Sequence, residues 1–311
     1  MGKAKQYKVG TRGSPLALAQ TKLVLEQLTQ AGCRDSFDIR VIRTEGDQEP
    51  EKQLFGFSNK GIFVRAIEEA LLSGEVDFAV HSAKDFPTEI SGELVLSAVL
   101  TREDPHDVFV GQEGVTLRSL KEQGGRVGTS SFRRQAQLCA YAEKIKCVPL
   151  RGNVETRLRK IQTESLEGIV VAQAGLLRLG LEVPYEVIPH EVMLPAVGQG
   201  TLVIESRQDR EEIYSLVKKI HDADAEACLQ AERAFLQVLG GGCHLPAAAM
   251  AHVEGTFLRL YAAVFSLDGK RVVQGKREEL RNDPKGIGAR LAEALVANGA
   301  RRLLEEGMTF G

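Results

Sequence analysis

Val9-Gly10-Thr11-Arg12-Gly13-Ser14-Pro15 and, further along, Arg126-Val127-Gly128-Thr129-Ser130-Ser131 carry one pattern twice. Each reads as a short strand ending Val-Gly-Thr, a small polar loop and the start of a helix. In the first copy Ser14 stands at the N-cap and Pro15 at the first helical position, which sets the helix going before Leu16 and Leu18. A strand-loop-helix junction of this kind turns free backbone N–H groups toward an anion, and Arg12 adds a fixed charge there. The repetition predicts an α/β chain with two doubly wound lobes, each built on a mixed sheet, facing one another across a cleft.

Working outward from the first copy, Phe37 to Arg43 alternates like a strand. Thr44 to Lys60 is rich in charge, glycine and glutamine, and its length suits a lid carrying Lys60. A helix from Gly61 stops near Gly74. Val76 to Val80 is then an apolar strand that delivers His81-Ser82-Ala83-Lys84-Asp85-Phe86-Pro87 at its carboxyl end, where ligands of open α/β sheets sit. Leu94 to Leu100 is a further apolar run, and Thr101-Arg102-Glu103-Asp104-Pro105 breaks the pattern.

Around the second copy positive charge gathers. Residues 126–160 hold nine lysines and arginines against Glu143 and Glu155. Arg133 and Arg134 fall in the first turn of a helix, where a cation opposes the helix dipole, so something anionic should sit beside them. Arg151-Gly152-Asn153 follows the strand Lys146 to Leu150, with Asn153 as N-cap and Arg157 one turn on. Arg178 follows the strand Gly168 to Ala172 and a short turn. Arginines placed at strand ends and helix starts suit forked recognition of carboxylates or phosphates. Leu194 to Gly200 is a turn containing Gln199; the strand Thr201 to Glu205 and a helix from Asp209 to Ile220 return to complete the first lobe.

The last third begins with a helix from Asp222 to Val238 that leads into Gly240-Gly241-Gly242-Cys243-His244-Leu245-Pro246, one thiol on a nearly bare backbone. By its residues alone Cys243 could be a nucleophile, a redox thiol, a metal ligand, an attachment point or a small buried side chain. Strands from Ala247 to Glu254, Thr256 to Phe265 and Arg271 to Glu279, with Asp268-Gly269 as a hairpin turn, precede a helical segment from Pro284 to Glu306. The expected domains are therefore residues 1–101 with 201–221, residues 102–200, and a small α+β domain of residues 222–311. Five cysteines without a Cys-x-x-Cys pair argue against a disulfide framework or a zinc site, and no metal is expected. The formal net charge of -2 and the absence of a basic arm count against a nucleic-acid partner. No apolar stretch approaches a signal sequence or a membrane span, which points to a cytoplasmic chain without a membrane partner.

Val9 to Ala17, His81 to Pro87, Gly128 to Arg134, Leu150 to Arg157, Val197 to Gly200 and Gly241 to Cys243 together resemble, in order and across nearly the whole chain, the porphobilinogen deaminase (hydroxymethylbilane synthase) family. The resemblance implies two periplasmic-binding-protein-like lobes plus the small domain. It also implies a monomeric transferase that joins four porphobilinogens head to tail, releases ammonia and yields hydroxymethylbilane for tetrapyrrole biosynthesis. A dipyrromethane cofactor, made from substrate, would be held covalently by a thioether on Cys243. Asp85 matches the family's catalytic aspartate and would stabilise the cation left by ammonia, with Lys84 beside it. The cofactor would be held by Ser14, Lys84, Asp85, Thr129, Ser130, Ser131, Arg133, Arg134, Arg151, Gly152 and Arg157. The substrate would be held by Arg12, Ser14, Gln20, Lys60, Arg151, Arg157, Arg178 and Gln199. Each pyrrole bears an acetate and a propionate, so a growing chain needs a bed of arginines.

Ala83, Phe86, Gln173 and Thr201 depart from the family's usual residues and bear on pocket shape, while Phe63 and Phe86 are the aromatic candidates for stacking on a pyrrole. Two other functions fit parts of the pattern. A two-lobed anion-binding module has no use for Asp85 or the Cys243 loop, and a phosphate-substrate transferase is disfavoured by the missing Walker A pattern.

Overall fold

The computed structural model describes residues 5–43, 62–90, 92–242 and 245–308. The chain forms two compact units, residues 1–102 with 201–226 and residues 103–200 with 227–311.

In the first unit, β1 (Gln6–Thr11) lies parallel to β2 (Ser36–Val41) and β3 (Phe78–Ser82). The returning strand β10 (Leu202–Arg207) inserts antiparallel between β3 and β4 (Leu94–Val99), giving the order β2-β1-β3-β10-β4. α1 (Pro15–Gln30) starts where expected, because the Ser14 hydroxyl accepts the Ala17 N–H at 3.2 Å and Pro15 needs no partner for a missing N–H. It buries Val24 and Leu28 against Val9, Phe78, Val80 and Ile204 on one face of the sheet. α7 (Glu211–Val217) adds Ile213 and Val217 to that face. α2 (Ile62–Leu72) covers the other face with Ile67 and Leu71 against Val76, Ala79 and Leu94. The two-residue period of a strand divides β3 accordingly: Phe78 and Val80 serve the α1 layer, Ala79 and His81 the α2 layer. Phe78 is fully buried, and its truncation to alanine would cost about 3–5 kcal/mol.

In the second unit, the parallel strands β6 (Gly125–Gly128), β7 (Ile145–Val148) and β8 (Gly168–Ala172) lie side by side at one end of a sheet, with β6 between the other two. β5 (Asp107–Gly111) lies antiparallel to β8 and carries β9 (Glu186–Val187) at the edge, so the order is β7-β6-β8-β5-β9. This is the order of the first sheet, and in each the antiparallel inner strand is one the chain reaches by passing between units. The helices are α3 (Leu117–Gln123), α4 (Phe132–Tyr141), α5 (Val154–Thr163) and α6 (Gln173–Leu179). Phe109, Val127, Leu138 and Val170 fill one face of the sheet; Val108, Leu150, Ile161 and Ile169 fill the other. Both sheets are mixed and covered on both faces, the α/β class expected from the repeated junction.

The same unit holds α8 (Ala223–Val238) from Ala227 onward, an antiparallel sheet β11 (Ala247–Glu254), β12 (Phe257–Phe265) and β13 (Val272–Leu280), and the helices α9 (Pro284–Ala297) and α10 (Ala300–Met308). Phe235, Leu258, Leu260, Ile287 and Leu291 form its core. Small side chains let this sheet sit close on α4, with Ala248 and Ala263 packing on Ala136. Gly269, at φ +72°, approaches α4 so nearly that a Cβ would fall 2.4 Å from the Ala136 carbonyl oxygen.

Three details differ from the sequence reading. β3 continues through His81 and Ser82, because these pair with Val203 and Leu202 of β10. Arg178 lies in the last turn of α6, where a cation complements the helix dipole. The terminal helical segment is two helices, divided at Gly299 with φ +97°. The lid expected over 44–60, with Lys60, lies outside the described residues, as do Cys243 and His244 and the side chain of Phe63.

Candidate active site

The end of β3 builds the first cluster. After Ser82 the chain makes one tight 3-10 turn, Ala83–Asp85, that leaves Asp85 exposed. The turn is held from several sides. The Ala83 N–H donates to the Thr201 carbonyl at 3.0 Å, the Phe86 N–H donates to the Ala83 carbonyl at 3.3 Å, and the Ser82 hydroxyl donates to Gln20 Oε1 at 3.0 Å. Asp85 shares one pocket with Arg12, Ser14, Gln20, His81 and Ser82. Arg12 leaves the end of β1 and Ser14 caps α1, so the repeated junction and the strand-end cluster meet here. Lys84 is half-buried on the same turn. Phe86 is buried, its ring centroid 5.0 Å from that of His81, and so braces the turn from inside. Gln20 is buried too, its carbonyl taken by Ser82.

The second cluster is centred on Asp107, the first residue of β5 and fully buried. Arg133 Nη1 donates to Asp107 Oδ2 at 2.7 Å, while Arg134 donates to Oδ1 from Nε at 3.0 Å and from Nη2 at 2.7 Å. Gln199 Nε2 donates to the same Oδ1 at 3.0 Å and to the Pro105 carbonyl at 2.8 Å. Arg133 and Arg134 also reach the carbonyls of Leu194 and Val170. Burial alone would raise the Asp107 carboxyl, but the charges of Arg133 and Arg134 outweigh it and hold the group well below the usual carboxylate range. The anion demanded by two arginines in the first turn of α4 is thus supplied in part by the protein. Two guanidiniums against one carboxylate leave the knot with one positive charge in excess.

Around this knot the loops are tied by their own hydroxyls. Thr129 is buried and its Oγ1 accepts the Ser131 N–H at 3.2 Å; Ser131 caps α4. The Ser130 hydroxyl donates to the Leu150 carbonyl at 2.9 Å and accepts the Leu150 N–H at 2.8 Å, joining the loop after β6 to the loop after β7. There Gly152 has φ +106°, and a Cβ would lie 2.7 Å from Thr156. Asn153 caps α5 as expected, and Arg157 Nε donates to the Gly152 carbonyl at 2.8 Å. Arg151 is half-buried beside it. Arg178 donates to the Gly200 carbonyl at 2.6 Å, while its Nε is buried without a partner among the described residues. Burial lowers its pKa, with Glu103 opposing.

Family comparison decides what such a chain is. The model described as "Porphobilinogen deaminase, dipyromethane cofactor binding domain" matches residues 7–215, and that of the porphobilinogen deaminase C-terminal domain matches residues 226–297. The chain belongs to the porphobilinogen deaminase family. It is 45% identical over 296 residues to the porphobilinogen deaminase of Rubrobacter xylanophilus, covering 95% of each chain. It is 45% identical over 304 residues to that of Pelotomaculum thermopropionicum, covering 97% of this chain and 96% of that one. Among solved structures, it is similar to a probable amino-acid ABC transporter extracellular-binding protein of Bacillus subtilis, at TM-score 0.42 and 13% identity over 70% of this chain and 91% of that one.

The porphobilinogen deaminase cofactor-binding region therefore contains both clusters. Its residues suit a group rich in carboxylates: a buried knot with excess positive charge, a buried Arg178 Nε without a partner among the described residues, and a glycine turn that admits no Cβ. Sequence reasoning missed Asp107, which stands just beyond the Thr101-to-Pro105 break and looks like part of the linker. It also missed Glu205, a buried acid in β10; an acid set directly after the apolar run Leu202 to Ile204 was the available signal.

Proposed function

We propose that Asp85 is the catalytic carboxylate of a porphobilinogen-polymerising enzyme and that the arginine-bearing loops of residues 103–200 hold pyrrole carboxylates. Membership of the family carries the reaction: four porphobilinogens condensed head to tail with loss of ammonia, giving hydroxymethylbilane for tetrapyrrole biosynthesis. The observation that carries the residue assignment is an exposed Asp85 on a turn tied to Thr201 and Gln20, in one pocket with Arg12.

Asp85 stabilises the positive charge that develops on the substrate's methylene-pyrrole as ammonia leaves, and accepts hydrogen bonds from pyrrole N–H groups. Arg12 and Ser14 hold substrate carboxylate in that pocket, with Gln20 fixing its wall and Lys84 adding positive charge next to Asp85. Arg151, Arg157 and Arg178 supply forked donors, and Gly152 lets a ligand approach the backbone. Arg133 and Arg134 contribute their excess charge through the Asp107 knot, with Gln199 holding its geometry, while Thr129, Ser130 and Ser131 shape the loop at the start of α4. Dipyrromethane, bound through Cys243, supplies the primer to which pyrroles are added. Lys60 assists closure over substrate.

Intact mass under denaturing conditions, compared with Cys243→Ser, tests the attachment. The mass of two deaminated porphobilinogen units should be present in the former and missing from the latter. Asp85→Asn, loaded with cofactor, should lose turnover by roughly 100-fold or more; near-normal turnover would remove the assignment. The chain acts as a cytoplasmic monomer with no nucleic-acid partner, a reading supported by its small net charge and by the lack, among the described residues, of any helix long and apolar enough to cross a membrane. Sedimentation at working concentration tests the monomer.

A further inference from the structure

Behind the Asp85 turn lies a buried acid-base pair that the reaction as described does not use. His81 Nε2 is 3.1 Å from Glu205 Oε2, with the side chains 6% and 0% exposed. Glu205 Oε1 is buried and has no hydrogen-bond partner among the described residues. The two residues belong to adjacent antiparallel strands, β3 and β10, on the face covered by α2. A carboxylate placed there with one oxygen unanswered is costly, and an apolar side chain would fill the space without that cost. The pair therefore needs a use beyond packing.

Its position supplies one. His81 is among the residues lining the Asp85 pocket, and its imidazole meets the Phe86 ring. His81 and Phe86 thus bracket the Ala83–Asp85 turn at its two ends. The charged groups facing the pair are Glu205 from β10 and Glu68 from α2, with Arg12 from the end of β1 and Asp85 sharing the pocket that His81 lines, and Lys84 next to Asp85 on the turn. Burial, and next the charge of Glu205, push the Glu68 carboxyl up, while His81 pulls it down, which places all three in one electrostatic cluster.

We propose that His81 and Glu205 are a positioning pair for Asp85: hydrogen-bonded to each other, they fix the imidazole against Phe86 and so give the Asp85 turn a single orientation. The inference rests on the reading of Asp85 as the catalytic carboxylate. His81 and Glu205 act through Asp85, and neither needs to touch substrate.

Glu205→Gln keeps the shape of the side chain and removes its charge. In cofactor-loaded enzyme it should lower kcat by roughly 100-fold, the scale of a small misplacement of a catalytic group, with KM little changed. It should also move the acidic limb of the kcat profile against pH, which a packing role would leave in place. In an Asp85→Glu background, where the turn already presents its carboxylate differently, Glu205→Gln should add little, because residues that act as a unit are not additive. A fully multiplicative loss in that background, or an unmoved pH profile, overturns the pair. Should Glu205→Gln fail to fold, Phe86→Leu removes the ring contact while keeping apolar volume; it should lower kcat without loss of cofactor mass, and unchanged kcat overturns the proposal. Asp85→Asn measured alongside separates the two claims. Near-normal turnover there removes the assignment of Asp85, whereas a loss there with unaffected Glu205→Gln removes only the pair.

Discussion

Asp107 answers three side chains with two oxygens, so its removal strands more than one partner. In Asp107→Asn two buried guanidiniums face an amide, and breaking a buried pair in this way costs about 3–5 kcal/mol. Urea unfolding at neutral pH should show that loss. Its pH dependence has a definite sign. The native pKa of Asp107 is held below its unfolded value, so the unfolded chain takes up the proton first as acid is added. The stabilisation is complete above the ordinary carboxylate value of about 4 and fades as pH falls from there through the depressed native value. The gap between the protein and Asp107→Asn should therefore be widest near neutrality and narrow progressively below about pH 4. A gap independent of pH would mean that the charge of Asp107 is not what holds the arginines. The positions of Arg133 and Arg134 were legible from the helix dipole alone, since first-turn cations ask for an anion. The identity of that anion was not, because Asp107 is brought to them by sheet pairing across many residues.

Local chemistry made the elements around the repeated junction readable. Ser14, Ser131 and Asn153 each cap the helix that follows, and each does so with a neighbour three residues away, a relation visible in sequence. The end of β3 was misjudged because its last two residues are fixed by β10, over a hundred positions later. The loop between β7 and α5 combines both cases. Gly152 can be recognised as a turn residue, but only the structure shows φ +106° and Thr156 in the way of a Cβ. Gly152→Ala should therefore cost about 1–3 kcal/mol of local strain and shift Arg151 and Arg157 together. Because these arginines would hold carboxylates equally before and during the reaction, steady-state kinetics should show KM raised with kcat nearly kept. A fall in kcat with unchanged KM would instead place the loop's effect on the chemical step.

The two sheets share one strand order because each takes in an antiparallel inner strand where the chain passes between units: β10 returns to close the first sheet and β5 opens the second. The repeated Val-Gly-Thr junction was enough to announce two similar sheets, and the returning segment after Gly200 was read as completing the first. Nothing in the sequence of α8 showed what joins the last third to the second sheet's unit. The joint is Glu232, fully buried, whose Oε2 accepts the Gly198 N–H at 2.7 Å and whose Oε1 accepts the Ala251 N–H at 2.7 Å. One side chain thus ties α8 to β11 and to the turn that carries Gln199, and Gln199 reaches Asp107. Glu232→Gln keeps the shape but can answer only one of the two N–H groups, because its amide nitrogen is itself a donor. Leaving the other buried and unsatisfied costs about 1–3 kcal/mol. Hydrogen exchange should quicken at whichever of Gly198 and Ala251 is abandoned. If the abandoned group is Gly198, the turn bearing Gln199 loosens and kcat/KM falls with it; if it is Ala251, stability falls and kinetics hold. Exchange unchanged at both amides would show that the small sheet is held to the unit by its alanine-lined contact with α4 rather than by Glu232.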